Sequence, residues 1–175
     1  MLRSLAYADY SKSDESDIRK FAVLCIFLAV TVVETFLNVY FRVLVSNDAF
    51  KQHQVRIIED LDTRKSLEYK ISNWPKLLFN REFDQTKGVG KGFKELKDLR
   101  NKLMHFTSSH ESLKINNFEL KGLSDISFYH NLSVDDAHTA DLIAIKTITE
   151  LIRLSGVSEE QLSATLVHWT GERPA

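Results

Sequence analysis

Arg100-Asn101-Lys102-Leu103-Met104-His105 places a permanent cation, an amide and a titratable imidazole within about one and a half helical turns. A guanidinium meets phosphate oxygens through a planar fork of donors, and an imidazole exchanges its proton near neutral pH. Together they suit cleavage of RNA at its own 2'-hydroxyl. On a helix, with Phe93 as origin, Phe93, Leu96, Leu99, Leu103 and Phe106 gather in a stripe centred at about 270°, which is the expected core face. Asn101 and His105 fall at about 80° and 120°, and Lys94 and Lys97 at about 100° and 40°, so these polar residues are expected to share one outward face. The alternatives are a merely solvated lysine-rich face, or a histidine satisfied inside the core. Arg100 lies about 140° around the helix from His105, at the edge of the apolar stripe, where its stem covers apolar neighbours while its head group reaches a cleft. A cleft shared by two copies of this helix would bring both sets of residues together, which makes a homodimer the natural corollary.

The elements that must hold this helix follow from hydrophobic periodicity. A long helix is predicted over 14–46, with shorter ones near 48–60 and 64–79, the last carrying Leu67, Ile71, Trp74, Leu77 and Leu78, with Pro75 either kinking it or starting another. Within the long helix Glu34, Asn38 and Arg42 recur at i, i+4 and i+8, one polar stripe on an otherwise apolar rod. Either the three satisfy one another as a structural network, or they line the same cleft as Arg100 and His105, with Glu34 orienting one of them. Asn80 to Gly92 contains Gly88, Gly90 and Gly92 but neither Walker spacing nor a preceding strand, so it reads as a flexible approach to the helix. Lys87 and Lys91 within it are within reach of RNA.

After His105 a long connection runs to Ser133, with Leu113-Lys-Ile and Phe118-Glu-Leu flanking Asn116-Asn117 as a small hairpin. It either caps the cleft or is a surface excursion. Ser133-Val-Asp-Asp136 reads as an N-cap with an acid at its third position, opening a helix whose Leu142, Ile145, Ile148, Leu151 and Ile152 face a core and which ends at Gly156. Ser158 then caps a terminal helix that packs through Leu162, Leu166 and Trp169.

With 175 residues, 43% of them hydrophobic, and two prolines, the chain suits one all-α domain, a compact helical bundle with its core over about 15–156 and a C-terminal helix and tail over 157–175. A net charge of −1 excludes a polyanion binder that relies on bulk charge, yet six Lys or Arg between Lys87 and Lys102 face only Glu95 and Asp98. That strip, with Lys91, Lys94 and Lys97 as candidate RNA contacts, suits a phosphate backbone. Cys25 is the single cysteine, in an apolar run, so no internal disulfide forms and a cytoplasmic location is expected. The run Phe21–Val33 is too short to span a bilayer, and extending it to Val45 carries Glu34, Asn38 and Arg42 inward, so no membrane insertion is expected; early acids argue against a signal peptide. Asp135, His138 and Asp141, with His130 or His110, lack a familiar zinc spacing and thiolate ligands, so neither a metal nor a cofactor is expected. No nucleophile elbow or dinucleotide fingerprint occurs.

Arg100-Asn101-x-x-x-His105, late on an all-helical chain after a long apolar helix, resembles the HEPN superfamily (higher eukaryotes and prokaryotes nucleotide-binding) over about 15–156. The resemblance implies a dimerising helical bundle with two motifs facing one another, and a metal-independent endoribonuclease that leaves a 2',3'-cyclic phosphate. It implies that Arg100 stabilises the phosphate, Asn101 positions it and His105 transfers a proton, with a role in phage defence or a stress response. It also implies an antitoxin or regulatory protein as a partner. In one toxin branch a Tyr follows the motif histidine by two positions and is modified by the antitoxin; Thr107 stands there, so that pairing is not expected. The alternative is a non-catalytic module of the same type, binding RNA or a protein, in which the motif stabilises a dimer.

Overall fold

The computed structural model describes residues 1–11, 13–105, 113–115, 118–120 and 127–170. Its helices are α1 (Leu2–Ala6), α2 (Glu15–Leu44), α3 (Gln54–Asp62, preceded by a single 3-10 turn), α4 (Leu67–Phe79), α5 (Gly88–His105), α6 (Ser127–His130), α7 (Val134–Leu154) and α8 (Glu159–Thr170). The architecture is an all-α bundle, and the long predicted helix forms as one rod. Asp14 starts it: its carboxylate accepts the Asp17 N–H at 2.8 Å, with Glu15 and Asp17 placed against the positive end of the helix dipole.

One face of α2 buries Ala22, Cys25, Ile26, Ala29, Val30, Val33, Phe36, Leu37 and Phe41. The spacing is that of a helix packed in a core. Facing it, α7 buries Ala137, Ala140, Ala144, Ile148, Leu151 and Ile152. Alanines early in both rods give way to larger side chains further on. Cys25 senses the Asp141 carboxylate, and fifteen residues later on α2 the Tyr40 hydroxyl donates to Ser155 Oγ at 3.2 Å, so the two helices run in the same direction and in step. Trp169 of α8 meets Phe36 edge to face, with ring centroids 5.1 Å apart, and docks the terminal helix on this pair. Five residues further along α2, Phe41 packs on both Trp74 and Phe79 of α4.

By length and composition α2 is apolar enough to cross a membrane, because the apolar run continues past Val33 with Glu34 as its one charge before Arg42. The shorter run counted from the sequence understates it. In this fold α2 packs against α1, α5 and α7.

The capping expectations hold. The Ser133 N–H donates to Asp136 Oδ2 at 2.8 Å, and Ser158 and Gln161 cap α8 reciprocally. The hairpin forms in antiparallel register, β1 (Leu113–Ile115) on β2 (Phe118–Leu120), with Leu113 opposite Leu120; Asn116 and Asn117 lie outside the described residues. Three expectations change. Pro75 sits inside α4, which continues to a left-handed cap at Asn80. Leu142 is 45% exposed, because the face of α7 that meets α2 is the one carrying Ala137, Ala140 and Ala144, not Leu142. The glycine-rich approach is not loop throughout: α5 begins at Gly88 and takes Gly90 and Gly92 into its first turns.

Gly90 is there because a Cβ at this position would overlap the main-chain carbonyl of Asp84. Helix propensity alone favours Gly90→Ala by about 1 kcal/mol. The clash reverses the sign, and we expect a net loss of about 2 kcal/mol in urea denaturation. Burial, with the Asp141 carboxylate adding to it, pushes the Cys25 thiol up to about 11. The native protein should therefore leave an aromatic disulfide reagent unreacted at about pH 8, and yield one thiol only on unfolding.

Candidate functional site

The arc of α5 that carries Phe93, Leu96 and Leu103 is buried and Leu99 is partly so, as the stripe predicted. The motif occupies the last turns of this helix. Arg100 and Asn101 are half-buried neighbours, Lys102 and Met104 are exposed, and His105 is the final helical residue. The side chain of His105 is not among those described, and Phe106, Thr107 and His110 lie outside the described residues.

Arg100 is the distinctive group. Its Nε is shut away from solvent without an acceptor, and the contact of its Nη1 is with the Met104 sulfur at 3.4 Å, a weak acceptor. No carboxylate among the described residues lies within ion-pair distance of it. A guanidinium held by its stem and left without a counter-charge is a site that an anion completes. Lys94 is exposed on the same helix, and Lys91 is tied to Glu95 by a loose surface pair at 3.7 Å. Such a pair is worth roughly 0–1 kcal/mol and yields readily to a phosphate.

Lys97 is a correction. Expected on the outward face with Lys94, it is 8% exposed, and its Nζ donates to Glu68 Oε2 of α4 at 3.0 Å. This hydrogen bond, together with the ammonium charge, holds the Glu68 carboxyl below the usual glutamate range. The face of α5 that the sequence assigned to solvent at this turn is covered by the start of α4, so Lys97 is engaged within the fold instead of standing on an outward face.

The Glu34, Asn38 and Arg42 stripe is a second correction, since it does not close on itself. Lys70 of α4, 5% exposed, donates to Asn38 Oδ1 at 2.9 Å, lies 3.6 Å from Glu34 Oε1 and stands 5.7 Å from the centre of the Trp74 ring. Arg42 is exposed and takes no part. Sequence reasoning passed over Lys70, although a signal existed: Leu67, Ile71 and Trp74 mark the buried stripe of α4, and position 70 falls within it, so a cation there requires partners. Asp60 was missed as well. It is 1% exposed, accepts the Trp74 indole N–H at 3.0 Å and lies 3.4 Å from Arg56 Nε, pinning α3 to α4.

His138 stacks on Tyr7 at 4.6 Å, and among the described residues no three His, Cys, Asp or Glu side chains converge.

Lys97→Ala is expected to cost about 1 kcal/mol in urea denaturation at neutral pH, and exposed Lys94→Ala nothing measurable. Because the Glu68 value is depressed in the folded state, the contribution of the pair is complete above the ordinary glutamate value of 4.5 and is lost as pH falls through the lowered one. The stability gap between Lys97→Ala and the parent should therefore narrow in acid.

No family model, curated protein or solved structure matches this chain, so the reading of its site rests on the residues and geometry just described.

Proposed function

We propose that this protein is a HEPN-like endoribonuclease that cleaves RNA through the RNA's own 2'-hydroxyl and without a metal ion. The observation that carries the reading is Arg100, a half-buried guanidinium with no carboxylate partner among the described residues, on the last turns of a helix that ends at His105. In the reaction the 2'-oxygen forms a bond to phosphorus and the bond to the 5'-oxygen of the next nucleotide breaks. The products are a 2',3'-cyclic phosphate and a 5'-hydroxyl. The phosphoryl group gains negative charge on the way, and Arg100 lies where a permanent cation stabilises that charge. Asn101 positions the phosphate beside it, and His105 moves the proton between the 2'-hydroxyl and the leaving oxygen. Lys91 and Lys94 attract the backbone, whereas Lys97 and the Glu34, Asn38 and Lys70 cluster serve the scaffold. The working unit in this proposal is a cytoplasmic homodimer.

The test is incubation of the purified protein with mixed single-stranded RNA in excess EDTA, with product ends analysed for cyclic phosphate. Cleavage is expected to persist in EDTA. It should fall by at least about 100-fold in Arg100→Ala and in His105→Ala while the helical circular dichroism is retained. Cleavage that requires a divalent cation and survives His105→Ala would overturn the assignment. RNA binding without cleavage would reassign the site to a binding module.

A further inference from the structure

The core accounts for only part of α2. Of its most apolar 18 residues 44% are buried, and Leu24 and Val39 stand 39% and 44% exposed. With Leu24 as origin, Asp17, Leu28, Thr31, Thr35, Val39 and Arg42 all fall within about 60° of it, one outward stripe about seven turns long. Between Phe21 and Phe41 the only charged residue is Glu34, which lies off this stripe and beside Lys70. A helix face of this length facing water normally carries charge throughout. Here charge sits only at the two ends.

The pattern is self-complementary. Positions 17, 21, 24, 28, 31, 35, 38 and 42 alternate spacings of four and three, the repeat of helices that pack along a shared seam. Set two copies antiparallel, with the two-fold axis between Ala29 and Val30. Leu28 then faces the partner's Thr31, and Leu24 faces the partner's Thr35. Lys20 lays its stem on the partner's Val39, and Asp17 meets the partner's Arg42. By symmetry each contact occurs twice. The central threonines are small enough for close approach, and Thr31 Oγ1 donates to the Phe27 carbonyl at 2.8 Å, so burying that hydroxyl strands no donor. At the ends, Arg42 has no ion pair among the described residues, while Asp17 keeps 49% of its side chain exposed although it already holds Lys20 at 2.8 Å. A shift of three residues in one direction puts Arg42 beside Lys20, and a shift of seven puts it beside Leu24.

From this complementarity we infer that the outer stripe of α2 is the surface on which a second copy of this chain docks, antiparallel, with Asp17 and Arg42 paired across both ends. The inference concerns α2 alone. It stands or falls independently of whether Arg100 and His105 cleave RNA.

Sedimentation should give twice the 20.1 kDa of the chain, and Leu24→Glu should give a monomer with unchanged helical circular dichroism, since position 24 lies outside the core. Arg42→Asp should weaken the dimer by about tenfold or more, and adding Asp17→Arg should restore it. Cysteine substitution fixes the direction. Leu24→Cys with Thr35→Cys should oxidise to a covalent dimer, because these positions are too far apart on one helix to bridge within a chain, while Leu24→Cys alone should not. Four results would overturn the proposal: a monomeric parent, a dimer indifferent to Leu24→Glu, covalent dimer from Leu24→Cys alone, or a parent that floats with neutral phosphatidylcholine vesicles instead of dimerising.

Discussion

The bundle depends on burying α2, a helix with a single charge between Phe21 and Phe41. Such a rod exposes far more apolar surface than water tolerates, and each fully covered Ile, Leu, Val or Phe contributes about 1.5–3 kcal/mol. The rest of the chain is arranged to provide that cover. Because α7 runs alongside in the same direction, its connection to α2 is necessarily long, and α3, α4 and α5 occupy the intervening sequence. Both helices contribute small alanines early in their buried faces, Ala22 and Ala29 on α2 and Ala137, Ala140 and Ala144 on α7, and larger side chains further on.

A second constraint is carried by α4 through two lysine contacts. Glu68 and Lys70 are two residues apart, about 200° around the helix, so they point to opposite sides. Glu68 reaches Lys97 of α5, and Lys70 reaches Asn38 and Glu34 of α2. The start of α4 is thereby pinned between the central helix and the helix that bears the candidate site. Hydrophobic contacts fix distance but permit rotation and sliding, whereas these directional pairs fix how α5 is turned. That rotation decides that Lys97 faces inward and that Arg100 comes to rest half-buried, with no carboxylate partner among the described residues. The scaffold and the candidate site are therefore coupled through the same helix faces.

Set beside those pairs, Arg100 is the exception that gives the site its character. Lys70 and Lys97 are buried cations with acidic or amide partners, as desolvation demands. Arg100, three residues after Lys97, has no such partner among the described residues. The outer face of α2 is a comparable departure from a self-sufficient bundle, with apolar surface left outside the core instead of charge left without a partner.

Local chemistry by itself determined a good deal. The apolar period of α2, the stripe of α5, the Ser133 and Ser158 caps and the short hairpin are properties of residues close together in the chain, and local hydrogen bonds and helical spacing are enough to specify them. The sequence also isolated Arg100-Asn101 and His105 as the residues whose chemistry stands out. It could not say which helix meets which face. Lys97 was assigned to solvent because its own helix places it opposite Leu99, and only the arrival of Glu68 from another helix makes that turn interior. Glu34 and Asn38 were given to Arg42 because those three align on one rod, yet a lysine 32 positions beyond Asn38 takes the hydrogen bond. Periodicity predicts how much surface a helix must bury, but the rotation and order in which helices pack are set by long-range complementarity, and that is fixed only when all of them close on one core.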